Sequence, residues 1–182
     1  MHLTGGQFKG RIITLPRGCD ALLKPTLSKV RESVFNILGS YFGDFSDLSF
    51  LDMFSGSGIM AFEAASRCFG EITAIEKNPK TFSIIKKNSS LLSVDINYIL
   101  GDALKILPKL QSFDVIYIDP PWGYDYAPII TRAVEKLNSG GIIVIEQDTK
   151  KEAKFSYQIN GTEILPFKEK IYGRCKLGFI KP

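Results

Sequence analysis

The stretch "LDMFSGSGIMAFEAASR", residues 51–67, decides the fold. It joins a short apolar run to a helical pattern through Gly56-x-Gly58-x-x-Ala61, the spacing of a dinucleotide fingerprint. Glycines at such positions let the backbone turn sharply and approach a ligand with no Cβ in the way. NAD enzymes use this approach to seat a pyrophosphate on a helix N-terminus. Asp52, four residues before the first glycine, argues against that guest. Two like charges at ~4 Å cost ~4 kcal/mol at an effective dielectric near 20. The same carboxylate favours a cation, and S-adenosylmethionine offers a sulfonium, an ammonium and an adenosine without phosphates.

Outward from this loop the chain alternates. The runs "LSFLDM" (48–53), "EITAIE" (71–76), "INYIL" (96–100), "FDVIYID" (113–119) and "GGIIVIEQ" (140–147) predict strands. Their near-continuous apolar character suits strands covered on both faces, as in a parallel sheet. Helical patterns fall between them near 58–68, 79–92, 103–110 and 126–138. This succession predicts a doubly wound α/β fold with right-handed crossovers. After the fifth strand come "FSYQIN" and then "TEILPFKEKIYGRCKLGFI", read as two strands turning near Tyr172-Gly173, an antiparallel hairpin at the sheet edge. At the front, "GGQFKGRIITLP" reads as strand-like and "LSKVRESVFNILGSYF" as an amphipathic helix that Thr26 or Ser28 can cap.

Composition sets bounds. The 182 residues fit one domain with a small appendage, and 45% hydrophobic with 23% charged residues describes an ordinary globular chain. No apolar run reaches the roughly 18 residues of a membrane span, and the start has no signal-peptide pattern. Cys19, Cys68 and Cys175 are widely spaced without a C-x-x-C pair, so a reducing cytoplasm and no metal site are expected. Charge is uneven. Residues 1–31 carry six Lys/Arg against one acid, 32–148 carry nine against fifteen, and 149–182 carry eight against three. Basic ends around an acidic centre fit a polyanion touching the rim, although solvated ends often carry lysines anyway.

In this fold, ligands bind at the carboxyl ends of the strands. Glu76 ends the second strand, where an acid can accept both ribose hydroxyls, and Gly101-Asp102-Ala103 follows the third. Asp102 has two open readings, an acceptor for an adenine amino group or a helix N-cap. "IDPPW", residues 118–122, ends the fourth strand. Consecutive prolines stiffen the backbone and remove two N–H donors, leaving carbonyls and the Asp119 carboxylate toward the crevice. Two fixed acceptors orient a planar exocyclic amine, and Trp122 can stack on its base, a contact worth ~1–3 kcal/mol.

The series Asp52-x-Phe54-x-Gly56-x-Gly58, Glu76, Asp102 and Asp119-Pro120-Pro121-Trp122 resembles the motifs of class I S-adenosylmethionine-dependent methyltransferases that act on exocyclic amines. With "GGQFKGR" (5–11), "LKPTLSKVRESVFNIL" (23–38) and "KEKIYGRCKLGFI" (168–180), the chain more narrowly resembles the RsmD family of bacterial 16S ribosomal RNA guanine-N2 methyltransferases. The resemblance runs nearly end to end; Trp122 stands where many relatives have Tyr or Phe, and Lys24 where many have Arg.

What it implies is specific. The fold is a Rossmann-like class I methyltransferase with a seven-stranded, mostly parallel sheet and an antiparallel C-terminal hairpin. Residues 1–44 are an RNA-binding extension and 45–182 the S-adenosylmethionine-binding catalytic domain. The reaction methylates N2 of a guanine near position 966 of 16S rRNA, in the small subunit or its assembly intermediate, releasing S-adenosylhomocysteine. Asp119, Pro120, Pro121 and Trp122 are the implied catalytic set. Asp52, Phe54, Ser55, Gly56, Gly58, Glu76, Lys77, Asp102 and Ala103 hold the cofactor. Lys9, Arg11, Lys24, Thr26 and Arg31 contact RNA. A cytoplasmic monomer without metal or membrane is expected. An adenine-N6 methyltransferase of DNA or RNA and a non-catalytic RNA-binding assembly factor are the rival readings.

Overall fold

The apolar run before the glycine loop forms β1 (Ser49–Asp52), buried along its whole length, and the segment after the loop forms α2 (Ile59–Ser66). The computed structural model describes residues 1–14, 26–121, 124–149, 156–159 and 161–182. Alternation continues through β2 (Glu71–Glu76), α3 (Pro79–Leu92), β3 (Asn97–Leu100), α4 (Ala103–Ile106), β4 (Phe113–Ile118), α5 (Tyr126–Val134) and β5 (Leu137–Asp148). Asn78 caps α3 by accepting from the Lys80 amide at 2.9 Å, with Pro79 opening the helix.

The expected sheet is present. Its seven strands run β3-β2-β1-β4-β5-β9-β8, where β8 is Lys168–Tyr172 and β9 is Cys175–Ile180. The first five are parallel, and β9 and β8 close the edge antiparallel. Strand order reverses between β1 and β4, which opens a crevice beyond their carboxyl ends. Alternate residues serve opposite layers: Phe50, Val115, Tyr117 and Val144 pack with residues of α1 (Ser28–Phe42) and α2, while Leu51, Ile116, Ile118 and Ile143 pack with residues of α4 and α5. Among the described residues no helix is long and apolar enough to cross a membrane.

Three expectations for local structure change. The described part of "GGQFKGRIITLP", residues 5–14, forms turns with one isolated antiparallel bridge, His2–Ile12, instead of a strand. Gly6 explains this: its φ of 74° reverses the chain, and a Cβ there would stand 1.8 Å from the Ser66 carbonyl oxygen. The turn thus lies directly on the end of α2, where the Gln7 amide donates to Ser66 O at 2.7 Å. Neither Thr26 nor Ser28 caps α1, whose N-cap is Leu27 without a side-chain bond. The C-terminal region holds two strands more than expected, because β6 (Tyr157–Ile159) and β7 (Thr162–Ile164) form a separate two-stranded hairpin.

The N-terminal segment is docked by a buried charge cluster. Glu63 on α2 is fully buried, and its Oε1 accepts from Arg31 Nε at 2.9 Å. Its Oε2 accepts from Arg67 Nη1 and from the Thr4 hydroxyl, the latter at 2.9 Å. Arg31, itself 1% exposed, also donates to the carbonyls of Thr26 and His2. One carboxylate thus joins α1, α2 and the first residues of the chain. Removing one partner of such a cluster strands a buried charge, which costs about 3–5 kcal/mol. Arg31→Met should lower stability by about that amount in urea unfolding, with Arg31→Met/Glu63→Leu recovering part of the loss. A wild-type midpoint for Arg31→Met would remove this cluster from any anchoring role.

Candidate active site

The loop after β1 is tied across the crevice. Its Met53 amide donates to Tyr117 O at 3.1 Å on β4, and its Ser55 amide to Ile75 O at 2.9 Å on β2. Gly56 and Gly58 take φ of 50° and 77°, and the Gly58 amide closes the turn onto Ser55 O. A Cβ on Gly58 would press within 3.0 Å of Phe62 and 3.1 Å of Ile85, so the glycine serves helix packing as well as the turn.

A cavity of about 720 Å³ opens over these carboxyl ends. Asp52 lies in its wall, 1% exposed, accepting from the amides of Phe54 and Ala61 while its Oδ2 has no partner. Burial first, and the neighbouring Glu76 charge second, push the Asp52 carboxyl up to about 7. Ser55 Oγ, also buried in this wall, has no partner either. Glu76 is half-buried; burial raises its pKa, opposed by amides that include Asn78 N at 2.6 Å and those of Gly56 and Lys77. Two acids and an unpartnered hydroxyl at one end of this cavity suit a cation carrying a polyhydroxyl group. Asp102 takes the N-cap reading, accepting from the Leu104 amide at 3.1 Å, and it also lines the cavity. Lys77 Nζ stands 3.0 Å from Asp102 Oδ2 and holds that carboxyl below its ordinary range.

The structure gathers Asp52, Phe54, Ser55, Gly56, Glu76, Lys77, Asp102, Ala103, Asp119, Pro120 and Pro121 around this one cavity, with Gly58 closing the loop behind it. Trp122 and Lys24 lie outside the described residues. Of the residues expected to touch RNA, Lys9 and Arg11 are exposed on the N-terminal turns, while Thr26 is buried in the cavity wall. Arg31 departs from that expectation, because its guanidinium is buried and committed to Glu63 and two carbonyls. Among the lining residues that had no place in the sequence reading are Tyr117, Tyr124 and Glu146. Tyr124 stands edge-on to Phe54, ring centroids 5.9 Å apart. Glu146 had a visible signal, an acid ending the otherwise apolar run "IIVIE".

Similarity to known proteins follows the whole chain. The family described as Conserved hypothetical protein 95 matches residues 1–181. The ribosomal RNA small subunit methyltransferase D of Buchnera aphidicola subsp. Acyrthosiphon pisum is 31% identical over 157 residues, covering 83% of this chain and 80% of that protein. The Escherichia coli protein of the same name is 31% identical over 124 residues, covering 67% of this chain and 60% of its own length. An Escherichia coli structure provisionally assigned as a methyltransferase superposes with a TM-score of 0.83 at 26% identity, covering 99% of this chain and 96% of its own. A precorrin-6y C5,15-methyltransferase from Geobacter metallireducens shares the fold at a TM-score of 0.66 and 18% identity, covering 93% of each chain.

The buried Asp52 makes stability depend on pH in a defined direction. Its carboxyl titrates at about 7 in the folded chain and near ~3.9 when unfolded. The stability contributed by the protonated form is fully present below the unfolded value and is lost as pH rises through about 7. Asp52→Asn removes that titration. The unfolding free energy of the variant should therefore gain on wild type progressively from about pH 4 to 7 and by a constant amount above. Parallel stability curves across this range would show that Asp52 is not held protonated by the fold.

Proposed function

The chain belongs to the RsmD family of ribosomal RNA methyltransferases, and on that premise we propose that it transfers a methyl group from S-adenosylmethionine to N2 of a guanine in 16S rRNA, near position 966. The substrate is the small ribosomal subunit or its assembly intermediate, and the protein acts as a cytoplasmic monomer. Residues 1–44 serve as the RNA-contacting extension and 45–182 as the catalytic unit. The observation carrying the reading is the unpartnered, buried Asp52 Oδ2 beside Glu76, in the same cavity as Asp119-Pro120-Pro121.

S-adenosylmethionine, when bound, supplies an electrophilic methyl on a sulfonium. Asp52, with Ser55 beside it, receives the cationic methionine end; ionisation of Asp52, disfavoured in the empty pocket, becomes favourable beside a positive charge. Glu76 accepts the ribose hydroxyls, and Asp102 accepts from the adenine amine while remaining the cap of α4. Asp119 and the Pro120 carbonyl accept the two hydrogens of the guanine amine, whose lone pair is otherwise delocalised into the ring. Holding both hydrogens raises electron density on N2 and aims it along the attack line. No proton leaves before attack; once N2 carries the methyl it is cationic, and its proton then departs. Position and fixed acceptors supply the rate, with no covalent enzyme intermediate.

Purified small subunits, naked rRNA and DNA, assayed for methyl uptake with mapping of the modified nucleotide, test the reading. The expected product is N2-methylguanine in 16S rRNA; methylated adenine with unmodified guanine would sink it. Asp119→Ala should depress kcat by about 10²–10³-fold while leaving the cofactor dissociation constant near wild type. Methylation at the wild-type rate would take the proposed role from Asp119. Cofactor affinity should climb with pH up to about 7 and level off above, and Asp52→Asn should flatten that profile.

A further inference from the structure

Past Asp119 the cavity continues to the end of β5, where Thr26, Tyr117 and Glu146 form its wall. The steps above leave this end unused. In the β4–β5 register Tyr117 pairs with Val144 and Ile118 with Ile145. Asp119 and Glu146 are the next residues along the two strands, and both line the cavity. Glu146 is only 5% exposed. The Tyr117 hydroxyl donates to its Oε2 at 2.7 Å, and the Thr26 hydroxyl bonds in turn to Tyr117. This chain aims the carboxylate and engages one of its oxygens. Oε1 is left to accept from whatever enters.

Guanine carries a donor in the right place. Its N1–H adjoins the 2-amino group on the same edge, so an amine held at Asp119 and Pro120 sets N1–H toward the neighbouring strand. Adenine and other purines without that hydrogen present a lone pair there instead. We propose that Glu146, oriented by Tyr117, accepts the N1–H of the target guanine and is the residue that selects guanine. This rests on the guanine-N2 reading and deepens it. The contact serves catalysis too, because N1, C2 and N2 form one conjugated amidine-like unit. A carboxylate on N1–H pushes electron density toward N2. A base lacking the hydrogen would leave the carboxylate unpaired against a lone pair, and sites built this way reject such analogues strongly.

The comparison that isolates N1–H is guanine against 2,6-diaminopurine, which keeps the 2-amino group but has no N1 hydrogen. Small subunits reconstituted with either base at the target position are assayed with wild type and Glu146→Gln. Wild type should favour guanine by about 10- to 100-fold in kcat/KM, the range expected for one well-made polar contact to a base. Glu146→Gln, whose amide can donate to an N1 lone pair, should lower the guanine rate and bring the ratio toward unity. Cofactor affinity and thermal stability, measured alongside, separate base selection from damage to the fold. Should Glu146→Gln fold poorly, Tyr117→Phe keeps the carboxylate but releases its aim, and it must also shrink the ratio. An unchanged ratio in a folded variant, or equal use of both bases by wild type, overturns the role of Glu146 while leaving guanine methylation standing. Methylation of adenine alone overturns both.

Discussion

Parallel register is the constraint on which the site depends. Five strands running the same way must all end at one edge, and each ends within two residues of an acid: Asp52, Glu76, Asp102, Asp119 and, near the end of β5, Glu146. Left alone, such a row would repel itself, and the structure treats its members differently. Burial raises the pKa of Asp52 to about 7. Backbone amides support Glu76, Lys77 neutralises Asp102, and the Tyr117 hydroxyl bonds to Glu146. The acids nearest β2 therefore suit a cation with hydroxyls. Those on β4 and β5 suit a group rich in N–H donors. One cavity carries both chemistries because the switch point lies between β1 and β4.

The N-terminal segment takes part in this arrangement through Thr26. Its carbonyl accepts from Arg31, which is bound to the buried Glu63, and its hydroxyl bonds to Tyr117. The ion cluster between α1 and α2 is thus three hydrogen bonds from the carboxylate of Glu146. Leu3 and Ile13 join the same apolar cluster as Phe50 and Tyr117, so the extension packs as part of the core against the sheet. The segment that carries exposed Lys9 and Arg11 on one side helps to shape the cavity wall on the other.

The parallel sheet was legible because strands covered on both faces need unbroken apolar runs, and "FDVIYI" and "IIVI" can serve little else. The loop glycines and Asp52 were legible because their spacing has a mechanical meaning. Arg31 was misread for a physical reason: arginine is rarely buried, and the partner that permits it lies 32 positions away on another helix. The front strand failed similarly, since apolar Ile12 and Ile13 favour extension while Gly6 reverses the chain against a carbonyl 60 residues on. Glu146 was hidden by its company. An acid at the end of an apolar strand reads as the point where the strand reaches water, and only the fold reveals that a tyrosine and a cavity meet it there.

The charge pattern acquires a physical role from the same geometry. A chain with basic ends and an acidic middle would be a poor design for gripping RNA in its cavity, because phosphates entering it would face Asp52, Glu76 and Asp119. Under the proposed reaction that hostility is useful. Phosphates are repelled from the cavity, and only a neutral base whose edge donates hydrogens is welcome inside. The target must therefore leave its stack to be methylated, and a base with the wrong edge gains nothing by doing so.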